Sequence, residues 1–177
     1  GEQRHDPQAE RIGEQRDRVA PADLIDDVAV LEHKLDAVDK RIAEAVKASA
    51  TTLTDIVGVG PVTAAAILGE VGDVARFTTA DRFASYTGTA PLEVSSGDVV
   101  RHRLSRAGNL RLNNALRIVA LSNKRHDARG KAYYERKLAA GKGKKGSLRC
   151  LKRRLSDVVF RTLVEDRARA NPGGQMG

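Results

Sequence analysis

Apolar residues first fall into step between positions 24 and 45, where Leu24, Val28, Leu31, Leu35, Val38, Ile42 and Ala45 are spaced alternately four and three apart. That is a heptad seam, and Glu32, His33, Lys34, Asp36, Asp39, Lys40 and Arg41 charge the remaining faces as a coiled coil requires. Pro21, with Asp23 as N-cap, marks the expected start of the helix. The seam reads either as a surface for a partner helix or as a helix lying on its own domain.

The pattern changes at "LTDIVGVGPVTAAAILGEVGD", residues 53–73. Gly58 and Gly60 allow a tight turn and a close approach, Pro61 suits the first turn of a helix, and Ala64, Ala65, Ala66, Ile67 and Leu68 make that helix small and apolar. The expectation is a helix-hairpin-helix motif whose turn, with Thr63 behind it, meets a phosphate backbone; a plain hairpin between two helices uses the same residues. A short helix follows, capped by Thr78 or Thr79 and closed by Gly88, with Phe77, Phe83 and Tyr86 available for packing. Pro91, Ser95, Ser96, Gly97 and Gly108 then oppose helix, so residues 90–108 read as an irregular connection with short strand-like pieces at Val94, Val99, Val100 and Leu104. Asn109 can cap a helix whose apolar face is Leu112, Leu116, Val119 and Ala120. A last helix is expected over about residues 146–166, with Leu151, Leu155, Val158, Val159 and Leu163 at helical spacing, after a glycine-lysine loop holding Lys142, Lys144 and Lys145.

The fold class expected is therefore mostly α: a heptad helix, then a small helical domain with a helix-hairpin-helix motif and an irregular serine-containing loop. Residues 1–22 read as a polar linker or a cut end, 23–50 as the coiled-coil helix, 51–166 as the helical domain and 167–177 as a tail. Composition narrows the picture further. With 177 residues, 41% hydrophobic and only 3% aromatic, the cores must be largely aliphatic. No run of about 18 uncharged apolar residues exists for a membrane helix, and no secretory signal opens the chain. The lone Cys150 forms no internal disulfide, which fits a reducing cytoplasm.

Charge changes the picture most. The net +8 divides sharply: residues 1–100 carry 10 Lys/Arg against 18 Asp/Glu, whereas residues 101–161 carry 19 against 3, a net of +16. So dense a cationic block repels itself unless counter-charge arrives from outside, and nucleic acid is its commonest source. Ser95 and Ser96 stand directly before Arg101, Arg103, Arg106 and Arg111. Small hydroxyls beside fixed cations suit the approach of an anionic partner such as a phosphate. The same serines also suit a plain polar turn, so a non-catalytic helical DNA- or RNA-binding module stays open. The acidic residues suggest no metal cluster: Asp26 and Asp27 belong to the heptad helix, Asp55 and Asp73 flank the hairpin and Asp98 is alone.

The motifs taken in order, G-V-G-P-x-T-A, Y-x-G-x-x-P, S-S-G, L-S-R-x-G-N-x-x-L and R-K-x-x-x-G-K before a basic final helix, make residues 53–163 resemble the C-terminal transposase domain of the insertion sequence 110 family. The family is also called the IS116/110/902 transposases and includes the Piv-type DNA invertases. The resemblance implies a DNA recombinase with a serine nucleophile, the serine before glycine, which is Ser96 here, with Ser95 as fallback. The residues expected to contact nucleic acid, from the glycine turn, the basic block and the lysine loop, are Gly58, Gly60, Thr63, Arg101, Arg103, Arg106, Asn109, Arg111, Lys142, Lys144 and Lys145. The resemblance further implies a structured bridge RNA as partner and a separate RuvC-like N-terminal domain whose four acidic residues bind divalent metal, expected to be magnesium; the heptad seam itself gives the expectation of a homo-oligomer through residues 24–45. No cofactor is expected in this chain itself, which begins after the position of that domain and so reads as a fragment or a truncated product. One departure stands out: the family pattern continues Leu112 with arginine, and here Asn113 follows.

Overall fold

The computed structural model describes residues 21–96, 99–103 and 108–171. The chain divides into two units, residues 1–41 and 42–177. Helix α1 (Pro21–Ala48) begins at its proline, two residues before the expected cap, and Asp23 lies in its first turn. A carboxylate there complements the helix N-terminus without capping it. Within the first unit the seam residues are open to solvent: Leu24, Val28, Leu31, Leu35 and Val38 are each between 45% and 63% exposed.

In the second unit, Val46 is buried and Ile42 packs beside it, so the C-terminal turns of α1 use positions 42 and 46 where the seam predicts 42 and 45. The residues ahead of Gly58, where a first hairpin helix is expected, form only the 3₁₀ turn Leu53–Asp55. The cause lies in Asp166. Its carboxylate accepts hydrogen bonds from the Thr51 hydroxyl (2.7 Å), the Thr52 hydroxyl (2.7 Å) and the Thr52 amide (2.9 Å), which commits this stretch to a tether before the turn. Helix α2 (Pro61–Val71) follows with Pro61 at its first position, where the missing N–H is no loss. Helix α3 (Ala80–Tyr86) is capped by Thr79, whose hydroxyl accepts from the Arg82 amide.

Three longer helices complete the unit. Helix α4 (Leu110–His126) is capped by Asn109, α5 (Ala128–Ala139) by Asp127, and α6 (Lys144–Ala170) starts within the lysine cluster. These three pack on one another, with α3 also against α6 and α2 against α4. The predicted faces of α4 and α6 are the buried ones: Leu112, Leu116, Val119 and Ala120 meet Leu151, Leu155, Val159 and Leu163 in one core with Leu53, Ile67 and Phe83. Phe83 brings an aromatic patch to this aliphatic core, 5.2 Å edge-on from Phe77 and 5.4 Å from Phe160. Helix α5 is absent from the sequence expectation. In the serine segment Leu92–Ser96 (β1) and Val99–Arg103 (β2) form a two-stranded antiparallel hairpin, so the strand-like pieces expected at Val94, Val99 and Val100 are paired strands within what is otherwise expected to be an irregular loop. Among the described residues no helix is long and apolar enough to cross a membrane.

The Asp166 tether yields a stability prediction. Burial alone would raise this carboxyl's pKa, but the threonine hydrogen bonds and the Arg169 guanidinium outweigh it and hold the pKa below the ordinary carboxylate range. A lowered folded-state pKa means that the unfolded chain takes up the proton first. The contribution is then complete above the unfolded pKa of about 3.9 and is lost as pH falls through the lowered value. Asp166→Asn should lower stability by about 2 kcal/mol at pH 7, the scale of a charged hydrogen-bond set. The gap between variant and parent in thermal melts should close on acidification below about pH 4; a gap constant with pH would show that the tether acts without its charge.

Candidate nucleic-acid interface

The hairpin joins the helical unit at a pinch. Gly88 closes α3 in the left-handed region at φ +65°, and Gly108 lies so near that a Cβ on it would sit 2.6 Å from the Gly88 amide nitrogen. Across the pinch the Asn109 amide donates to the Tyr86 carbonyl at 2.7 Å. The two ends of the excursion between residues 90 and 108 are thus fastened side by side.

A polar network braces the pinch. The side-chain amide of Asn109 donates to Glu70 Oε2 at 2.6 Å and to the Tyr86 hydroxyl at 3.2 Å, while that hydroxyl donates to the Glu70 carbonyl at 3.1 Å. Arg111 completes the set at 3.2 Å from Glu70 Oε1. The Asn109 hydrogen bond, aided by Arg111 and opposed by burial, holds the Glu70 carboxyl below its ordinary pKa. The same amide, together with Arg76, lowers the Tyr86 phenol. On the other flank Asn113 donates to the carbonyls of Thr87 and Gly88, both at 2.9 Å, and accepts from the buried Lys152 Nζ at 2.9 Å. Desolvation first, then repulsion from Arg149 and Arg117, pushes the Lys152 ammonium below the ordinary lysine range. The departure from the family pattern at position 113 has a physical reason here: an arginine there would set a second cation against an ammonium already short of counter-charge.

Hairpin register sorts the serines. Leu92 pairs with Arg103, Val94 with Arg101 and Ser96 with Val99, while Glu93 pairs with His102 and Ser95 with Val100. Paired residues of an antiparallel ladder share a face, and successive residues alternate. Ser96 therefore belongs to the face of Arg101 and Arg103, and Ser95 to the opposite one. Arg106 lies outside the described residues.

The other predicted contacts scatter. Gly60 is exposed as the N-cap of α2, with open space where a Cβ would stand, and Thr63 is half-buried in the first turn. Gly58 has φ +93°, and a Cβ on it would meet Ser122 Cβ at 2.7 Å and the Val119 carbonyl at 3.0 Å. In the structure the close approach that this glycine permits is to helix α4. Asn109 is engaged in capping, accepting from the amides of Arg111 and Leu112 at 3.0 Å, and in the Glu70 network. The Arg111 side chain is 85% exposed despite its ion pair. Lys142 lies in the connection, and Lys144 and Lys145 in the first turn of α6, all three exposed.

Sequence reasoning missed the cations of α5. Tyr133 holds Arg136, Lys137 and Arg154 with their charged ends 5.2, 5.4 and 5.3 Å from its ring centre, and Tyr134 holds Lys124 at 4.5 Å. The signal available was Asp127, a cap three residues ahead of a glycine, with two tyrosines spaced among basic residues.

Residues 50–135 match the family model of the transposases of the IS116/IS110/IS902 family. The uncharacterized 43.6 kDa protein of insertion element IS110 from Streptomyces coelicolor is 38% identical over 112 residues, covering 63% of this chain and 28% of that protein. The uncharacterized 42 kDa protein of insertion element IS900 from Mycobacterium paratuberculosis is 29% identical over 164 residues, covering 90% of this chain and 41% of its own length. The chain thus spans less than half the length of either relative.

Proposed function

We propose, from the match of residues 50–135 to the transposases of the IS116/IS110/IS902 family, that the chain is the DNA-holding and strand-attacking part of a transposase. In this reading Ser96 is the nucleophile and Ser95 the fallback. The observation that carries it is the hairpin register, which sets Ser96 on one ladder face with Arg101 and Arg103, on a segment clamped at its base. Attack by the Ser96 Oγ forms one P–O bond as one strand P–O bond breaks, and the proton lost by serine balances the one taken up by the leaving oxygen. The phosphodiester is kept as a phosphoserine linkage, so rejoining needs no outside energy source. Arg101 and Arg103 would offset charge on the phosphoryl oxygens.

Among the described residues no three His, Cys, Asp or Glu gather into a set that could hold a metal ion, and no step here is routed through one. The divalent metal and acidic domain belong to the family resemblance, as does the bridge RNA. The open seam of α1 is read as the self-association surface.

DNA holding is tested through salt. With about four phosphates neutralised, the logarithm of affinity for duplex DNA should fall with a slope near −3.6 against the logarithm of salt, roughly a hundredfold between 50 and 200 mM. A flat titration would remove nucleic acid from the reading and leave the cationic block for an acidic protein.

A further inference from the structure

Away from the hairpin, α5 and α6 border a cleft of about 510 Å³, within the roughly 300–1,000 Å³ of ordinary ligand sites. Its apolar wall is Ile56, Val57, Leu155 and Val158, and its cations are Arg129, Arg136 and Arg154. None of these three arginines forms an ion pair among the described residues, although Arg111, Arg153, Arg167 and Arg169 all do. Two carboxylates share the cleft. Asp127 is occupied as the cap of α5, accepting from the amides of Arg129 and Gly130 at 3.2 and 3.1 Å, which leaves Asp55. Arg136 and Arg154 are instead gathered on the Tyr133 ring, which holds guanidinium planes in place without neutralising them.

An anion is the missing counterpart of two ring-held guanidinium groups, and an apolar wall beside them calls for a ligand with a flat uncharged part as well. A nucleotide has both. In a duplex the base is stacked and paired and cannot enter a cleft, whereas an unpaired strand offers it freely. Resting on the nucleic-acid reading above, we propose that this cleft takes one unpaired nucleotide of a nucleic-acid strand, its phosphate on Arg136 and Arg154 and its base against the wall of Ile56, Val57 and Val158.

The experiment compares fluorescent single-stranded DNA, single-stranded RNA and a fully paired duplex, binding each to the unaltered chain, to the double variant Arg136→Ala/Arg154→Ala and to Lys144→Ala/Lys145→Ala, which loses equal charge elsewhere. The cleft variant should weaken single-strand binding by about tenfold or more, the worth of one held base, while the two variants weaken duplex binding alike. On the unaltered chain, a strand carrying 5-bromodeoxyuridine or 4-thiouridine should photo-crosslink to the peptide containing Tyr133, which reads the site without relying on any variant's folding; the DNA and RNA arms tell which strand it holds. Equal single-strand losses in both variants, or crosslinks that avoid the α5 peptide, overturn the cleft and leave nucleic-acid binding intact. If the unaltered chain binds none of the three probes, both readings fall together.

Discussion

Ser96→Ala should abolish the covalent protein–DNA adduct and strand cleavage that the proposed serine mechanism requires, measured in a chain extended by the acidic N-terminal domain, and supplied with the guide RNA, that the family resemblance implies. Alanine removes the attacking oxygen and nothing else, so DNA affinity should stay within about twofold, because phosphate contacts from the basic block position the strand independently. Ser95→Ala should leave the adduct in place, since register puts that residue on the ladder face away from Arg101 and Arg103. An adduct that survives Ser96→Ala and disappears in Ser95→Ala would reverse the assignment. Normal recombination by the double variant would end the serine mechanism for this protein.

The second large effect is on folding. Gly130→Ala should lower the melting temperature by roughly 10 °C, the scale of about 3 kcal/mol in a unit of this size. The site of a Cβ on Gly130 is already held by Asn123, whose side-chain oxygen a new carbon would overlap, with its Cγ at 2.9 Å and its carbonyl at 3.0 Å. Asn123 is buried at 4% exposure and donates to the Val57 carbonyl at 3.3 Å. Displacing it combines overpacking with the loss of that hydrogen bond, each worth about 1–3 kcal/mol. Melting followed by circular dichroism measures this directly; a shift under about 3 °C would show that α5 can lift from α4 with little loss.

That contact also explains what the sequence concealed. The faces of α4 and α6 were legible because Leu112, Leu116 and Val119, and Leu151, Leu155 and Val159, repeat at the helical period. The caps were legible from residue type, Asn109 outright and Thr79 as one of two candidates with Thr78, because such side chains bond the helix amides that follow. Helix α5 had its cap in Asp127 but no periodic apolar signal: its buried positions are Gly130 and Tyr134, and a helix that packs through a missing side chain has no apolar stripe. The cleft beside it was hidden for the same reason. At Gly58 the requirement for close backbone approach was legible, while the packing against α4 was not, since a glycine makes room alike for a phosphate and for the Ser122 of a neighbouring helix. The pairing that separates Ser96 from Ser95 could be read only once the strands were aligned, because a shift of one residue exchanges the two faces.

The pinch at Gly88 and Gly108 has a consequence for how such a protein can change over generations. A segment that leaves and re-enters the scaffold through one backbone hydrogen bond, Asn109 to Tyr86 at 2.7 Å, behaves as a cassette. Extra residues in a surface excursion whose ends are already fixed add only a slowly growing entropic term, about 0.6 kcal/mol for each doubling of length. Mobile elements could therefore lengthen, shorten or exchange the hairpin, together with the chemistry proposed for it, while the helical core went on evolving under its own constraint, that of staying folded.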